Sequence, residues 1–163
     1  MATALKNLSD YDPSKIPSAE NWSFGIVVAE WNEEITSALC EGAVSTLVAN
    51  GAKRENIKIH AVPGSFELPL GARWLADHSD ADAVICLGCV IQGETRHFEF
   101  ICNSVAQGLI DLSISCSKPF IFGVLTTDNI DQARERSGGK HGNKGDEAAI
   151  TAIKMLALKK RLV

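Results

Sequence analysis

The feature that most constrains this chain is an alternation. A short β-branched apolar run is followed by a longer stretch with helical apolar spacing, and the pattern then repeats along the sequence. Phe24-Gly25-Ile26-Val27-Val28-Ala29 is continuously apolar, as expected of a strand covered on both faces. Residues 33–50 follow, with Ile35, Leu39, Ala43 and Leu47 every fourth position and Gly51 as a stop, which predicts a helix. Ile57-Lys58-Ile59-His60-Ala61-Val62 alternates, as expected of a strand near a sheet edge, and Pro63-Gly64 turns it into an amphipathic run over 66–78. A third strand is expected over 83–90, before a helix with the stripe Phe98, Ile101, Cys102, Val105, Leu109 and Leu112. A fourth, over 119–125, precedes a short helix over 130–136, a glycine-rich turn and a last helix over 146–159.

Strands each followed by a helix imply a parallel sheet, because right-handed crossovers distribute the helices over its two sides. The expected fold is α/β: a three-layer α/β/α sandwich of flavodoxin-like type with a four-stranded parallel sheet. An N-terminal arm over 1–23 would precede a single domain over 24–163. A chain of 163 residues with 45% apolar residues can bury one core of that size.

In such a sheet, ligands bind beyond the carboxyl ends of the strands. Three loops there carry the unusual residues: Glu30-Trp31-Asn32, Pro63-Gly64-Ser65-Phe66-Glu67, and Gly88 through His97. Trp31 ends its strand among polar neighbours and offers a flat face to a heteroaromatic ring. Trp22 and Trp74 have no such placement and read as structural. Ser65 and Glu67 suit a helix start, as N-cap and dipole partner, which the local sequence favours, although both side chains could also hydrogen-bond a polyhydroxylated ligand. Gly93-Glu94-Thr95 precedes a helix whose free N–H groups would attract an anion. Glu94 would oppose that anion, so a cation is required, with Arg136, Arg96, Lys140 and Lys144 as candidates. His97 falls in a first helical turn, where the dipole favours the neutral ring; of the four histidines it alone stands on this rim, making it the acid–base candidate.

Composition removes other classes. A net charge of −4 provides no basic face for nucleic acid. No apolar run is long enough to cross a membrane, and Met1 to Asn21 lacks the apolar core of a secretory signal, so a cytoplasmic location is expected. Five scattered cysteines read as reduced core residues. Cys86 and Cys89, three apart on a strand, should face opposite sides of the sheet, so no metal site is expected. A phosphate-receiver domain would need clustered acids at the first strand ends, and Glu30 stands there alone. A non-catalytic flavin-binding or shell-forming protein would keep the fold and Trp31, and loss of His97 and Arg136 together would favour it; both are present.

The pattern as a whole resembles lumazine synthase. The resemblance is carried by Phe24-Gly25-Ile26-Val27-Val28 with Trp31-Asn32, Val62 through Glu67, Leu87 through Phe100, and Gly123-Val124-Leu125-Thr126-Thr127 through Gly142-Asn143-Lys144-Gly145. It implies the penultimate step of riboflavin biosynthesis: condensation of 5-amino-6-(D-ribitylamino)uracil with 3,4-dihydroxy-2-butanone 4-phosphate to 6,7-dimethyl-8-ribityllumazine, phosphate and water. It also implies a transferase with no cofactor and no metal. By motif, Trp31 would stack on the pyrimidine. Ser65, Phe66 and Glu67 would hold the ribityl chain and ring edge, and Cys89, Val90 and Ile91 would offer backbone groups to the uracil. Glu94 and Thr95 would lie at the phosphate, with Arg136 as countercharge, and His97 would move protons. Phe122, Arg136 and Lys144 would come from the neighbouring subunit of a homopentamer. Some members stop there and others assemble twelve pentamers into an icosahedral 60-mer. The turn over 137–145 is as short as in shell-forming members, so the shell is expected, with riboflavin synthase a candidate partner. Cys89 stands where Thr or Ala is usual, and Trp31 where Phe is commoner; the larger ring suggests flavin stacking.

Overall fold

The computed structural model describes residues 11–163; residues 1–10, part of the expected arm, lie outside the described residues. The elements run β1 (Phe24–Ala29), α1 (Glu33–Ala49), β2 (Ile57–Val62), α2 (Leu68–Asp77), β3 (Ala83–Ile91), α3 (His97–Cys116), β4 (Phe120–Thr127), α4 (Ile130–Arg134), β5 (Ser137–Gly139), β6 (Gly142–Asn143) and α5 (Lys144–Leu162). The first four strands form one parallel sheet in the order β2-β1-β3-β4. The fold is therefore the expected flavodoxin-like α/β sandwich.

Strand alternation builds two cores. Phe24 and Ile26 of β1 and Ile85 and Leu87 of β3 face α1 and α5, packing with Leu39, Leu47 and Ile153. Val27, Val84 and Cys86 face the other way, against Leu68, Val105 and Leu109 of α2 and α3. Each such side chain taken fully out of water stabilises the fold by about 1.5–3 kcal/mol. Cys86 and Cys89 do fall on opposite faces, and all five cysteines are free. Burial pushes the Cys86 thiol well above its ordinary value and Cys89 up to about 11, so both are protonated and inert near neutrality.

The edge strand β2 buries Ile57 and exposes Lys58, Ile59, His60 and Ala61. β4 runs two residues past expectation because Thr126 and Thr127 continue the ladder opposite Val90 and Ile91. α5 begins earlier than expected because Asn143 caps it: its side-chain oxygen accepts from Gly145 N at 2.8 Å, and its amide donates to Ala38 O at 2.9 Å. The glycine-rich turn is a small antiparallel ribbon, β5 with β6, rather than an unpaired loop. Ala19 is fully buried, and Ile16 and Trp22 pack on the same core, so residues of the expected arm are bound to the domain. Trp74, expected to be structural, instead stands 59% exposed on α2.

α1 and α5 approach too closely for side chains at two glycines. A Cβ on Gly42 would lie 2.5 Å from Asn143 Nδ2 and Asp146 Oδ1, and one on Gly145 would overlap the Leu39 carbonyl oxygen. The second obstacle is backbone, which cannot rotate away. Gly145→Ala is therefore expected to destabilise the protein by about 1–3 kcal/mol or more, read as a lower denaturation midpoint. Gly93→Ala, where nothing lies within 4 Å of the added carbon, should change stability by less than about 0.5 kcal/mol.

Candidate active site

Strand order reverses between β1 and β3: from β1 the chain moves outward to β2, and from β3 outward to β4. The loops that leave β1 and β3 therefore part company and leave a crevice at their carboxyl ends. A cavity of about 720 Å³ opens there.

The β1 loop supplies Trp31 and Asn32. Trp31 is 73% exposed at the mouth, although its backbone is fixed: Trp31 N donates to Pro63 O at 3.2 Å and Glu30 N to Val62 O at 2.8 Å. The segment after β2 supplies Gly64, Ser65, Phe66 and Glu67. Ser65 was expected as an N-cap, and the structure corrects this. Residues Ser65–Glu67 form a 3-10 turn closed by Glu67 N donating to Gly64 O at 3.3 Å, with no side-chain cap. With the turn closed by backbone, the Ser65 side chain turns inward, and Gly88 leaves it room: a Cβ there would stand 2.6 Å from Ser65 Oγ. That hydroxyl is buried and has no hydrogen-bond partner. Phe66 and Glu67 are exposed.

The end of β3 supplies Cys89, Val90 and Ile91. Their loop is pinned by Gln92 N donating to Thr127 O at 2.8 Å, and the Cys89 carbonyl accepts from Asn32 Nδ2 at 2.8 Å. Beyond it, Gly93, Thr95 and His97 line the cavity, and Glu94 does not. His97 is exposed and opens α3, its N–H donating to Thr95 Oγ1 at 3.4 Å.

The sequence also pointed to Phe122, Arg136 and Lys144, and the fold does not bring them to this cavity. Phe122 is 43% exposed on the edge strand β4. Arg136 lies two residues beyond α4 and donates from Nη1 to Gln132 O at 3.0 Å. Lys144 Nζ donates to both Glu147 carboxylate oxygens, at 2.6 and 2.7 Å, in a largely buried pair. Sequence reasoning gave no role to Asn32 or Phe100, both of which line the cavity. The signal for Phe100 was its position off the buried stripe of α3, where it is 69% exposed.

The lining is mostly apolar and aromatic, with Glu67 and His97 as its ionisable side chains beside the buried thiol of Cys89; it contains no lysine or arginine. Such a surface can hold a planar ring against Trp31, offer backbone groups at the β3 end and move a proton through His97. It provides no countercharge for an anion. Among the described residues, no group of three or more His, Cys, Asp or Glu is placed to hold a metal ion, and no helix is long and apolar enough to cross a membrane.

Residues 21–160 match the family model described as 6,7-dimethyl-8-ribityllumazine synthase. A protein of that name from Cytophaga hutchinsonii is 63% identical over 157 residues, 96% of this chain and 98% of its own length. Its namesake from Parabacteroides distasonis is 55% identical over 156 residues, again 96% of this chain and 98% of its own length. That from Phocaeicola vulgatus is 52% identical over 162 residues, covering 99% and 96%.

The unpartnered Ser65 hydroxyl yields a prediction that needs no ligand identity. Removing a buried hydroxyl that bonds nothing relieves a desolvation cost, so Ser65→Ala should leave stability unchanged within about 1 kcal/mol, or raise it, while weakening ligands that fill the cavity. Thermal melting and ligand titration of the same variant check both halves.

Proposed function

Because the chain belongs to the 6,7-dimethyl-8-ribityllumazine synthase family, we propose that its rim cavity is where 5-amino-6-(D-ribitylamino)uracil meets 3,4-dihydroxy-2-butanone 4-phosphate. The protein is a transferase of riboflavin biosynthesis, acting at the penultimate step. The observation that carries the site assignment is the convergence of three loops, distant in sequence, on one cavity with an exposed indole at its mouth.

In this reading Trp31 stacks on the pyrimidine, and the backbone of Cys89, Val90 and Ile91 meets its polar edge. Ser65, whose hydroxyl lacks a partner, takes a ribityl hydroxyl together with Glu67, and Phe66 covers the chain. Thr95 and the adjoining backbone N–H groups receive the phosphate. The exposed Glu94 stays outside the lining and so does not confront it.

The chemistry follows from two reactive substrates held together. The amine attacks the ketone and water leaves as the imine forms. A proton is then lost from carbon as the neighbouring C–O bond breaks and inorganic phosphate departs. The second amine closes the ring with loss of water. Orientation supplies much of the rate, since fixing two reactants in attack geometry replaces a bimolecular encounter. His97, exposed to the cavity, relays protons in imine formation and elimination.

The lack of any cation in the lining supports a site completed by a second copy. We assign Phe122, Arg136 and Lys144 to that role in a homopentamer, with Arg136 meeting the phosphate. Leu70, Trp74, Ile110 and Ile114, all more than half exposed, provide apolar area for such contacts. The short β5–β6 ribbon favours twelve pentamers closing into a shell, in the cytoplasm, with riboflavin synthase as a candidate guest. Residues 24–163 would then be the one catalytic domain.

Mixing the protein with both substrates should accelerate appearance of the lumazine absorbance well above a protein-free control; only the background rate would overturn the reading. His97→Ala should slow turnover by up to about 10²–10⁴-fold without abolishing it, and complete loss would exclude a reaction driven mainly by proximity. Arg136→Ala should act chiefly on the KM for the butanone phosphate, leaving that for the pyrimidine nearly constant in steady-state kinetics.

A further inference from the structure

Asn32 departs from the usual behaviour of its position. It occupies the N-cap of the 17-residue helix α1, where an asparagine side chain ordinarily accepts from the helix's own first N–H groups, yet it makes no such bond. It also sits in the left-handed region, at φ 61°, one of two non-glycine residues with positive φ among those described. What it does instead is span the crevice, donating from Nδ2 to Cys89 O at 2.8 Å, 57 residues away. An N-cap side chain diverted from its own helix to one long-range bond, on the wall of a cavity, points to a functional constraint.

The bond closes a set. Glu30 and Trp31 are already tied through their N–H groups to Val62 O and Pro63 O at the end of β2. Asn32 ties the other side of the same loop to the end of β3. The exposed indole between them is thus held at a fixed separation from the Cys89–Ile91 backbone, although little packs on the ring itself. We propose that Asn32 is a positioning residue, setting through its amide the width of the slot in which the planar substrate lies between Trp31 and the end of β3. This rests on the assignment of the cavity above.

The test compares Asn32→Asp, which keeps the shape and the left-handed preference, with Asn32→Gly, which keeps only the latter; both lose the donor. Each is expected to raise the KM for the ribitylaminouracil at least tenfold, with the KM for the butanone phosphate and kcat within about threefold. Equal increases in both KM values, or a fall in kcat alone, would overturn the proposal. So would an effect of Asn32→Asp without one of Asn32→Gly, because carboxylate repulsion would then be the cause. A second readout needs no substrate. With Trp22 and Trp74 replaced by Phe, Trp31 is the remaining tryptophan, and its time-resolved fluorescence anisotropy should decay faster in both variants than in the otherwise identical parent. Unchanged anisotropy rejects the positioning role. A parent protein that fails to turn over the substrates would sink the assigned activity and leave the anisotropy to decide on Asn32.

Discussion

The parallel pairing of β1 with β3 is the contact on which the rest depends. Phe24 through Val28 lie beside Ala83 through Leu87, and most of these side chains are buried, alternately toward α1 and α5 or toward α2 and α3. Strands covered on both faces cannot slip by one residue without exchanging their two sets of apolar side chains. That register fixes where each strand stops. Because the connections leave the pair in opposite directions, it also fixes where the crevice opens. The cavity is a by-product of sheet topology; its chemistry comes from the residues on the loops.

Those loops combine main-chain anchors with side-chain groups left unsatisfied. Backbone bonds hold Glu30, Trp31 and Gln92 to neighbouring strand ends. Against that frame, Ser65 keeps a buried hydroxyl without a partner, and Trp31 and Phe66 keep large apolar surfaces in water. Each is a small cost that a bound hydroxyl or aromatic ring would remove. Under the proposed site assignment, part of a ligand's binding energy would be the release of these costs, which would favour molecules that satisfy all of them together.

Much of this was legible in the sequence, for identifiable reasons. The strands and helices could be read because burial on two faces leaves continuous runs such as Phe24 to Ala29, while α1 repeats every fourth residue. Trp31 stood out because a packing aromatic would more usually sit inside its strand than among polar residues at its end. The role of Asn32 was not legible, since its bond to Cys89 O joins positions that only the fold makes adjacent. The Ser65 capping role failed because Ser and Asn favour helix starts for reasons that compete with outward hydrogen bonding, and propensity cannot tell which will win. The pairing of Lys144 with Glu147 was hidden behind an ordinary helix-start sequence.

The ribbon after α4 has a closed stem. His141 N donates to Glu135 O at 2.8 Å, and Lys144 N donates to Arg136 O at 2.9 Å, so the chain leaves and returns through one anchored base. Arg136 and Lys144 are therefore coupled through the main chain at the root, while Gly138, Gly139 and Lys140 at the tip are exposed. Growth or trimming of that tip would alter the outward profile of the subunit without changing the spacing of the two cations. In the proposed assembly, the segment free to vary in length would thus be separated by a hydrogen-bonded clasp from the residues that would enter a neighbour's site.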